Sequence, residues 1–144
     1  MMSDKGLTGR CLCGEVEVHA TQAEEQVGVC HCDMCRKWSG GPFYSAHCGV
    51  AVTFKGEDAI TRFSSSPWAD RGFCHRCGTH LFYLYKESGE YFVPAGLFDG
   101  DNFSMGTEIF VDEKGPYYEL HPTSRKMTGA EVMAAFQQGG DNEK

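Results

Sequence analysis

The sequence lacks the features that would direct a chain into or across a membrane. No apolar run among its 144 residues approaches the length that spans a bilayer. Residues 1–9 contain no apolar stretch of the kind found in signal peptides, so we expect a cytoplasmic protein. Basic residues are also few, with 13 Lys and Arg against 20 Asp and Glu. The net charge of −7 argues against nucleic acid as a main partner, because phosphate binding needs a basic surface.

Internal repeats, low-complexity segments and interdomain linkers are absent from the sequence as well, which predicts a single domain over residues 1–144. Alternating polar and apolar residues, and runs rich in aromatic and β-branched residues, predict strands separated by turns. The predicted strands are 15–19, 44–54, 59–63, 79–85, 91–97 and 107–111. Thr128 and Glu131 have the spacing of a capping box, which predicts a helix over 128–138 and a frayed tail at 139–144. The predicted fold is mainly β with one short C-terminal helix.

Cysteine, in contrast, is abundant, and seven of the eight cysteines fall into three short clusters. The clusters are Cys11–Cys13, Cys30–Cys35 and Cys74–Cys77. Thiols held two or three residues apart converge on one point. In a reducing compartment that point is more often a metal site than a disulfide. Zinc favours tetrahedral thiolate sites, and iron–sulfur clusters are the main competitor.

The spacing divides the seven cysteines into two sites. Cys74-x-x-Cys77, followed by glycine, has the spacing of a zinc knuckle. Cys11 and Cys13 would point to one face if the chain there is extended, because residues i and i+2 of a strand share a face. We therefore predict a structural zinc whose ligands are Cys11, Cys13, Cys74 and Cys77.

The remaining cluster supplies Cys30, Cys32 and Cys35 to a second zinc, which we expect to be catalytic and more labile than the first. Three protein ligands leave a fourth position for water or substrate, as in catalytic zinc sites. A zinc ion in such a site lowers the pKa of a bound thiol or activates water. Cys48 has no partner at metal-ligand spacing and is predicted to be a small core residue. His31 lies between two predicted ligands, so its side chain is expected to point away from the metal.

The seven cysteines lie in three ordered blocks: Gly-Arg-Cys-Leu-Cys-Gly-Glu-Val at 9–16, Cys-His-Cys-Asp-Met-Cys-Arg-Lys at 30–37 and Arg-Gly-Phe-Cys-His-Arg-Cys-Gly-Thr at 71–79. With these blocks the chain resembles the glutathione-dependent formaldehyde-activating enzymes, the GFA family, whose relatives include the centromere-protein-V-like proteins. Further matches lie at 63–68 and 109–112, and the resemblance runs from about residue 8 to residue 118. It implies a β-tent fold, in which several small antiparallel sheets surround zinc.

The resemblance also implies a function. The first and third blocks match the family's structural zinc ligands, and the middle block matches its catalytic zinc ligands. The implied reaction is a carbon–sulfur lyase chemistry that joins a small thiol such as glutathione to a small aldehyde. With formaldehyde the product is S-(hydroxymethyl)glutathione. Two alternatives stay open: a non-catalytic zinc-binding module for a protein partner, and a redox or metal-storage site formed by the three middle thiols.

Overall fold

The chain folds into two compact units, each built from two separate segments. A computed structural model describes residues 6–100 and 103–139. The first unit contains the described residues up to Glu25 and those between Ser45 and Phe103. The second contains those from Gln26 to Tyr44 and from Ser104 onward. The predicted organisation as a single domain stays a prediction.

The described residues form eleven strands, two α-helices and three short 3-10 helices. The strands are β1 (Leu7–Arg10), β2 (Glu17–Ala20), β3 (Gln26–Cys30), β4 (Phe43–Gly49), β5 (Val52–Lys55), β6 (Ile60–Ser66), β7 (Ala69–Cys74), β8 (His80–Tyr85), β9 (Glu90–Pro94), β10 (Ser104–Ile109) and β11 (Arg125–Met127). The α-helices are α1 (Asp33–Ser39) and α2 (Gly129–Gly139), and the 3-10 helices are Glu57–Ala59, Ala95–Leu97 and Val111–Glu113. The predicted mainly β fold with a short C-terminal helix is confirmed.

The first unit is made of antiparallel strands. One sheet has the order β1-β2-β5, and in the other the strands run β4-β9-β8-β7-β6. Alternation sets which side chains enter the core, because successive residues of a strand face opposite sides. In β2, Val18 and Ala20 are fully buried and the residues before each of them are partly exposed.

Aromatic rings fill the core of this unit. The Phe82 ring is fully buried and packs against Phe54 and Tyr91, with ring centroids 5.3 and 5.2 Å away. Gly72 on the neighbouring strand makes room for it, since a Cβ atom there would lie 2.3 Å from the Phe82 ring. Cys74 is fully buried and belongs to the same core cluster. This predicted ligand of the structural zinc therefore packs against hydrophobic residues.

The second unit combines three strands with the two α-helices. The strands have the order β11-β10-β3 and pair in parallel, which alternation in the sequence cannot distinguish from antiparallel pairing. The capping box is confirmed at the start of α2: Thr128 N–H donates to the Glu131 carboxylate, and Glu131 N–H donates to the Thr128 hydroxyl.

Among the residues that the structure describes, none of the helices has both the length and the apolar character needed to span a membrane.

Several local predictions differ from the structure. The sequence predicts one strand over 44–54, but β4 ends at Gly49, whose φ of 63° breaks the extended chain before β5. Strands β1, β3, β7 and β11 and helix α1 were not predicted. The tail predicted from Gly139 lies outside the described residues, except that Gly139 itself ends α2.

Candidate metal centres

Four cysteines of the first unit meet at one point. Cys11 and Cys13 lie in the turn from β1 to β2. Cys74 ends β7, and Cys77 lies in the turn that leads to β8. All four sulfur atoms lie within 4.8 Å of one another, and the Cys13 sulfur is 3.6 Å from that of Cys11 and 3.8 Å from that of Cys74. The structure thus brings together the four thiols that spacing assigned to one site, which we call the four-thiol cluster.

Two turns that contain glycine present these thiols. The Gly14 N–H donates to the carbonyl oxygen of Cys11 at 2.9 Å, and the Gly78 N–H donates to that of Cys74 at 2.7 Å. Both glycines have positive φ angles, 83° and 80°, a left-handed conformation that other residues rarely adopt. The chain at Cys11 and Cys13 is therefore not extended, so the condition of a shared strand face is not met. Their sulfurs approach each other because the chain turns.

Hydrogen bonds orient the sulfurs of this cluster. The Val16 N–H donates to the Cys11 sulfur at 3.3 Å. The Thr79 hydroxyl accepts a bond from the Leu12 N–H at 3.1 Å, so its own proton is available to the Cys77 sulfur, also 3.1 Å away. The side chain and the backbone of Thr79 lower the pKa of Cys77 to about 5. A lowered pKa favours the thiolate form, which is the form that binds a metal ion.

The four-thiol cluster fits a tetrahedral zinc ion. Sulfurs bound at about 2.3 Å to a tetrahedral zinc are separated by about 3.8 Å, and the distances of 3.6 and 3.8 Å at Cys13 agree with that value. The pKa of Cys13 also agrees with a site for a cation. A backbone hydrogen bond from Glu15 lowers the pKa of Cys13, but desolvation and the three neighbouring cysteines raise it to about 12. Four thiols this close do not all ionise without a cation between them.

Three cysteines of the second unit form the other cluster, which we call the triad. Cys30 is the last residue of β3, Cys32 is the N-cap of α1, and Cys35 lies in the first turn of that helix. Their sulfurs also lie within 4.8 Å of one another. Hydrogen bonds and charge repulsion from Cys32 and Cys35 raise the pKa of Cys30. Like the four-thiol cluster, the triad therefore has the donor set and the crowding that a thiolate-binding cation relieves.

Helix α1 explains how the triad forms. The Cys32 sulfur accepts a hydrogen bond from the Cys35 N–H at 3.4 Å, as a side-chain cap does. The N–H of Asp33 donates to the Glu113 carboxylate at 2.8 Å, which holds the start of the helix. The turn of the helix then brings Cys35 back toward Cys32. Cys35 is buried, whereas Cys30 and Cys32 are partly exposed.

The histidine inside the triad sequence is buried and engaged elsewhere. His31 is 1% exposed, and its Nε2 lies 2.6 Å from the Glu108 carboxylate. Its Nδ1 lies 2.8 Å from the hydroxyl of Tyr118. Both ring nitrogens are therefore occupied by residues of the second unit. Glu108 and Tyr118 were missed in the sequence because they lie 77 and 87 positions away.

Two further residues of types that can bind a metal ion, His47 and Cys48, belong to neither cluster. His47 has one ring nitrogen 3.0 Å from Glu24 and the other 3.1 Å from Glu90, so both nitrogens have carboxylate partners. Cys48 is fully buried in the core of the first unit and donates to the carbonyl oxygen of Ala46. The predicted core role of Cys48 is confirmed. Within the described ranges, the two thiol clusters are the groups of three or more metal-binding side chains.

The fold and the two clusters define a mainly β protein whose thiols are grouped so that they can hold metal ions. The chain belongs to the glutathione-dependent formaldehyde-activating enzyme family, whose model it matches over residues 6–113. It is 32% identical over 130 residues to a protein of Schizosaccharomyces pombe named an uncharacterized lyase, and the match covers 89% of this chain and 95% of that protein. A crystal structure of a Rhodobacter sphaeroides protein has a similar fold, with a TM-score of 0.53 and 19% identity, covering 84% of this chain and 99% of the other.

Proposed function

We propose that the protein is a zinc-dependent lyase-type enzyme that joins glutathione, or a similar small thiol, to formaldehyde. The sulfur–carbon bond forms as the carbonyl π bond breaks, and the thiol proton passes to the carbonyl oxygen, giving S-(hydroxymethyl)glutathione. The family name supports the thiol and the aldehyde. The name of the Schizosaccharomyces pombe relative supports the lyase class.

The observation that carries the proposal is the number of thiols in the triad. Cys30, Cys32 and Cys35 form a group of three, to which the described residues add no fourth cysteine, histidine or carboxylate. Three protein donors with one open position are the arrangement of catalytic zinc sites. A zinc ion held there would lower the pKa of an incoming thiol and keep it as the thiolate nucleophile.

The two clusters would have different tasks. The triad would bind the second zinc and orient the substrate thiol, which would approach from the side of the partly exposed Cys30 and Cys32. The four-thiol cluster would hold a structural zinc, giving two zinc ions per chain. We also propose a reducing compartment such as the cytoplasm, because cysteines that hold zinc must stay reduced thiols.

Two-dimensional exchange NMR tests the activity directly. The rates of interconversion between glutathione, formaldehyde and their adduct are measured with zinc-loaded protein, with Cys35→Ser and with Cys48→Ser. The second variant is the matched control, because Cys48 is an equally buried cysteine outside both clusters. We expect exchange well above the uncatalysed rate with wild type and Cys48→Ser, and the uncatalysed rate with Cys35→Ser.

Three results would contradict the proposal. Exchange at the uncatalysed rate with two zinc ions bound per wild-type chain would exclude glutathione and formaldehyde as substrates. A single zinc per folded chain would favour a non-catalytic zinc-binding module. If wild type and Cys35→Ser accelerate the exchange equally, the triad is not the site of the reaction.

A further inference from the structure

A chain of hydrogen-bonded polar side chains, two of them buried and Tyr118 half-buried, lies next to the triad in the second unit. His31, Glu108 and Tyr118 are joined by hydrogen bonds of 2.6 and 2.8 Å. His31 and Glu108 are only 1% and 2% exposed. The His31 and Tyr118 rings also stack, with centroids 5.5 Å apart and an angle of 12° between their planes. Buried polar groups of this kind need every partner, because an unpaired one is costly in the protein interior.

The hydrogen-bond partners assign a direction to this chain. The Gly115 N–H donates to the Tyr118 hydroxyl oxygen at 3.2 Å, which leaves the phenol proton for Nδ1 of His31. The proton on Nε2 then goes to Glu108. The second oxygen of that carboxylate accepts bonds from the His121 N–H and the Ser124 hydroxyl. Each of these atoms has a partner, so the orientation of the imidazole ring is fixed from both sides.

The backbone of His31 is held as firmly as its ring. Its N–H donates to the carbonyl oxygen of Ile109 at 3.0 Å, and its carbonyl oxygen accepts a bond from Nε of Arg36 at 3.2 Å. Cys30 and Cys32 are the residues on either side of it. Two of the three thiols of the triad are therefore attached directly to a residue that is fixed at four points. The position of the third thiol, that of Cys35, depends on Cys32, because the Cys35 N–H donates a hydrogen bond to the Cys32 sulfur.

We propose that His31 is a positioning residue for the triad: Glu108 and Tyr118 fix its ring, and the fixed residue sets where Cys30 and Cys32 present their sulfurs. The inference rests on the metal binding proposed above for the triad. It assigns His31 no contact with substrate and no share in the chemical step. Groups that orient metal ligands typically change metal affinity or activity by about 10- to 100-fold when they are removed.

Cobalt(II) binding tests the inference with a readout other than activity. Co²⁺ bound by four thiolates absorbs differently from Co²⁺ bound by three thiolates and a solvent molecule, so each cluster gives its own signal. His31→Leu removes both ring bonds, and His31→Gln restores one donor toward Glu108. We expect His31→Leu to shift the triad spectrum and weaken its Co²⁺ affinity by about 10- to 100-fold. His31→Gln should recover part of that affinity, and the four-thiol signal should stay unchanged in both variants.

A milder variant keeps the test informative if His31→Leu does not fold. Tyr118→Phe removes only the hydroxyl that bonds to Nδ1 and keeps the stacked ring. The neighbouring Tyr117 is 65% exposed and supplies the matched control, Tyr117→Phe. We expect Tyr118→Phe to shift the triad spectrum and to weaken Co²⁺ binding several-fold, whereas Tyr117→Phe should behave as wild type.

The outcomes separate this inference from the proposed function. An unchanged triad spectrum and affinity in folded His31→Leu or in Tyr118→Phe would overturn the inference and leave His31 as an ordinary core residue. If wild type binds only one Co²⁺ per chain, the inference and the proposed function both fail. If wild type binds two Co²⁺ and the variants shift as expected, but the zinc protein does not accelerate exchange, the inference stands and the proposed reaction fails.

Discussion

Replacing Cys74 by serine should weaken the binding of a metal ion and, once that ion is removed, much of the stability of the chain should be lost. Cys74 is fully buried in the core of the first unit, and its sulfur lies 3.8 Å from that of Cys13, 61 positions earlier in the sequence. A metal ion bound by both residues closes a loop of that length. Cys11, Cys13 and Cys77 would remain as three donors, but without the fourth sulfur the ion should be held much more weakly, so a chelator should remove the cross-link from the variant first.

The size of the loop sets the size of the effect. A cross-link that closes a loop of about 60 residues lowers the entropy of the unfolded chain enough to contribute about 4 kcal/mol at 25 °C. Native domains are stable by only about 5–15 kcal/mol in total, so this contribution is a large fraction of the whole. The metal–sulfur bonds themselves add to it, because binding free energy at such a site is folding free energy.

Urea unfolding and metal analysis together measure the effect. The free energy of unfolding is followed by tryptophan fluorescence for wild type, chelator-treated wild type, Cys74→Ser and Cys48→Ser. We expect that a chelator concentration at which the four-thiol cluster of wild type keeps its metal ion removes that ion from Cys74→Ser, with a loss of about 4 kcal/mol or more. Cys48→Ser is the control: its hydroxyl can keep the bond to the Ala46 carbonyl oxygen, so it should retain both metal ions and lose about 1 kcal/mol.

Two outcomes of these measurements would exclude a structural metal ion in the four-thiol cluster. If Cys74→Ser retains the metal content and the unfolding midpoint of wild type at that chelator concentration, the four-thiol cluster is not the structural metal site. If chelation removes metal from wild type without lowering the free energy of unfolding, the metal does not act as a cross-link.

Three further predictions concern the residues around the two clusters. Gly9→Ala would place a Cβ atom 2.1 Å from a backbone oxygen and should lower stability by about 1–3 kcal/mol, measured by urea unfolding, whereas Gly41→Ala meets nothing within 4 Å and should not. Burial opposes ionisation of Glu108, but its hydrogen bonds outweigh burial and lower its pKa. The ionised carboxylate therefore stabilises the fold above the ordinary pKa of 4.5, and this contribution is lost as pH falls through the lower pKa of the folded state. Glu108→Gln should flatten that part of the acid unfolding curve. Thr79→Val should raise the pKa of Cys77 from about 5. Acid should then displace metal from the four-thiol cluster at a higher pH than in wild type. Metal release at the same pH as in wild type would contradict the role of the Thr79 hydroxyl.

Short-range chemistry was readable from the sequence. The three short groups of thiols followed from their spacing, because ligands two or three residues apart can reach one ion whatever the rest of the fold does. The middle group can supply three ligands by itself, which left the first and third groups to share the other ion. The capping box at Thr128 and Glu131 was readable for the same reason, since both partners lie within one helical turn. The geometry behind Cys11 and Cys13 was not, because a turn and an extended strand can both bring residues i and i+2 together.

Features that depend on distant residues were not readable. Helix α1 has seven residues, too few to show a helical period, and its cap is a cysteine, which is not among the usual N-cap residues. The parallel pairing of β10 with β3 and β11 depends on segments far apart in the chain. The partners of His31 are chosen by that pairing, because Glu108 lies on β10 beside the end of β3.

Ligand number, rather than exposure, distinguishes the two clusters. Cys13 of the four-thiol cluster is exposed, and Cys35 of the triad is buried. Solvent exposure of the cysteines therefore does not separate the two clusters. The four-thiol cluster has enough donors to saturate a tetrahedral ion, and such an ion has no position left for a substrate. The triad has one donor fewer and is held by a strand end, a helix start and a buried histidine rather than by two turns. Substitutions in the first cluster should therefore act mainly on stability, and substitutions in the triad mainly on the second metal ion and the reaction.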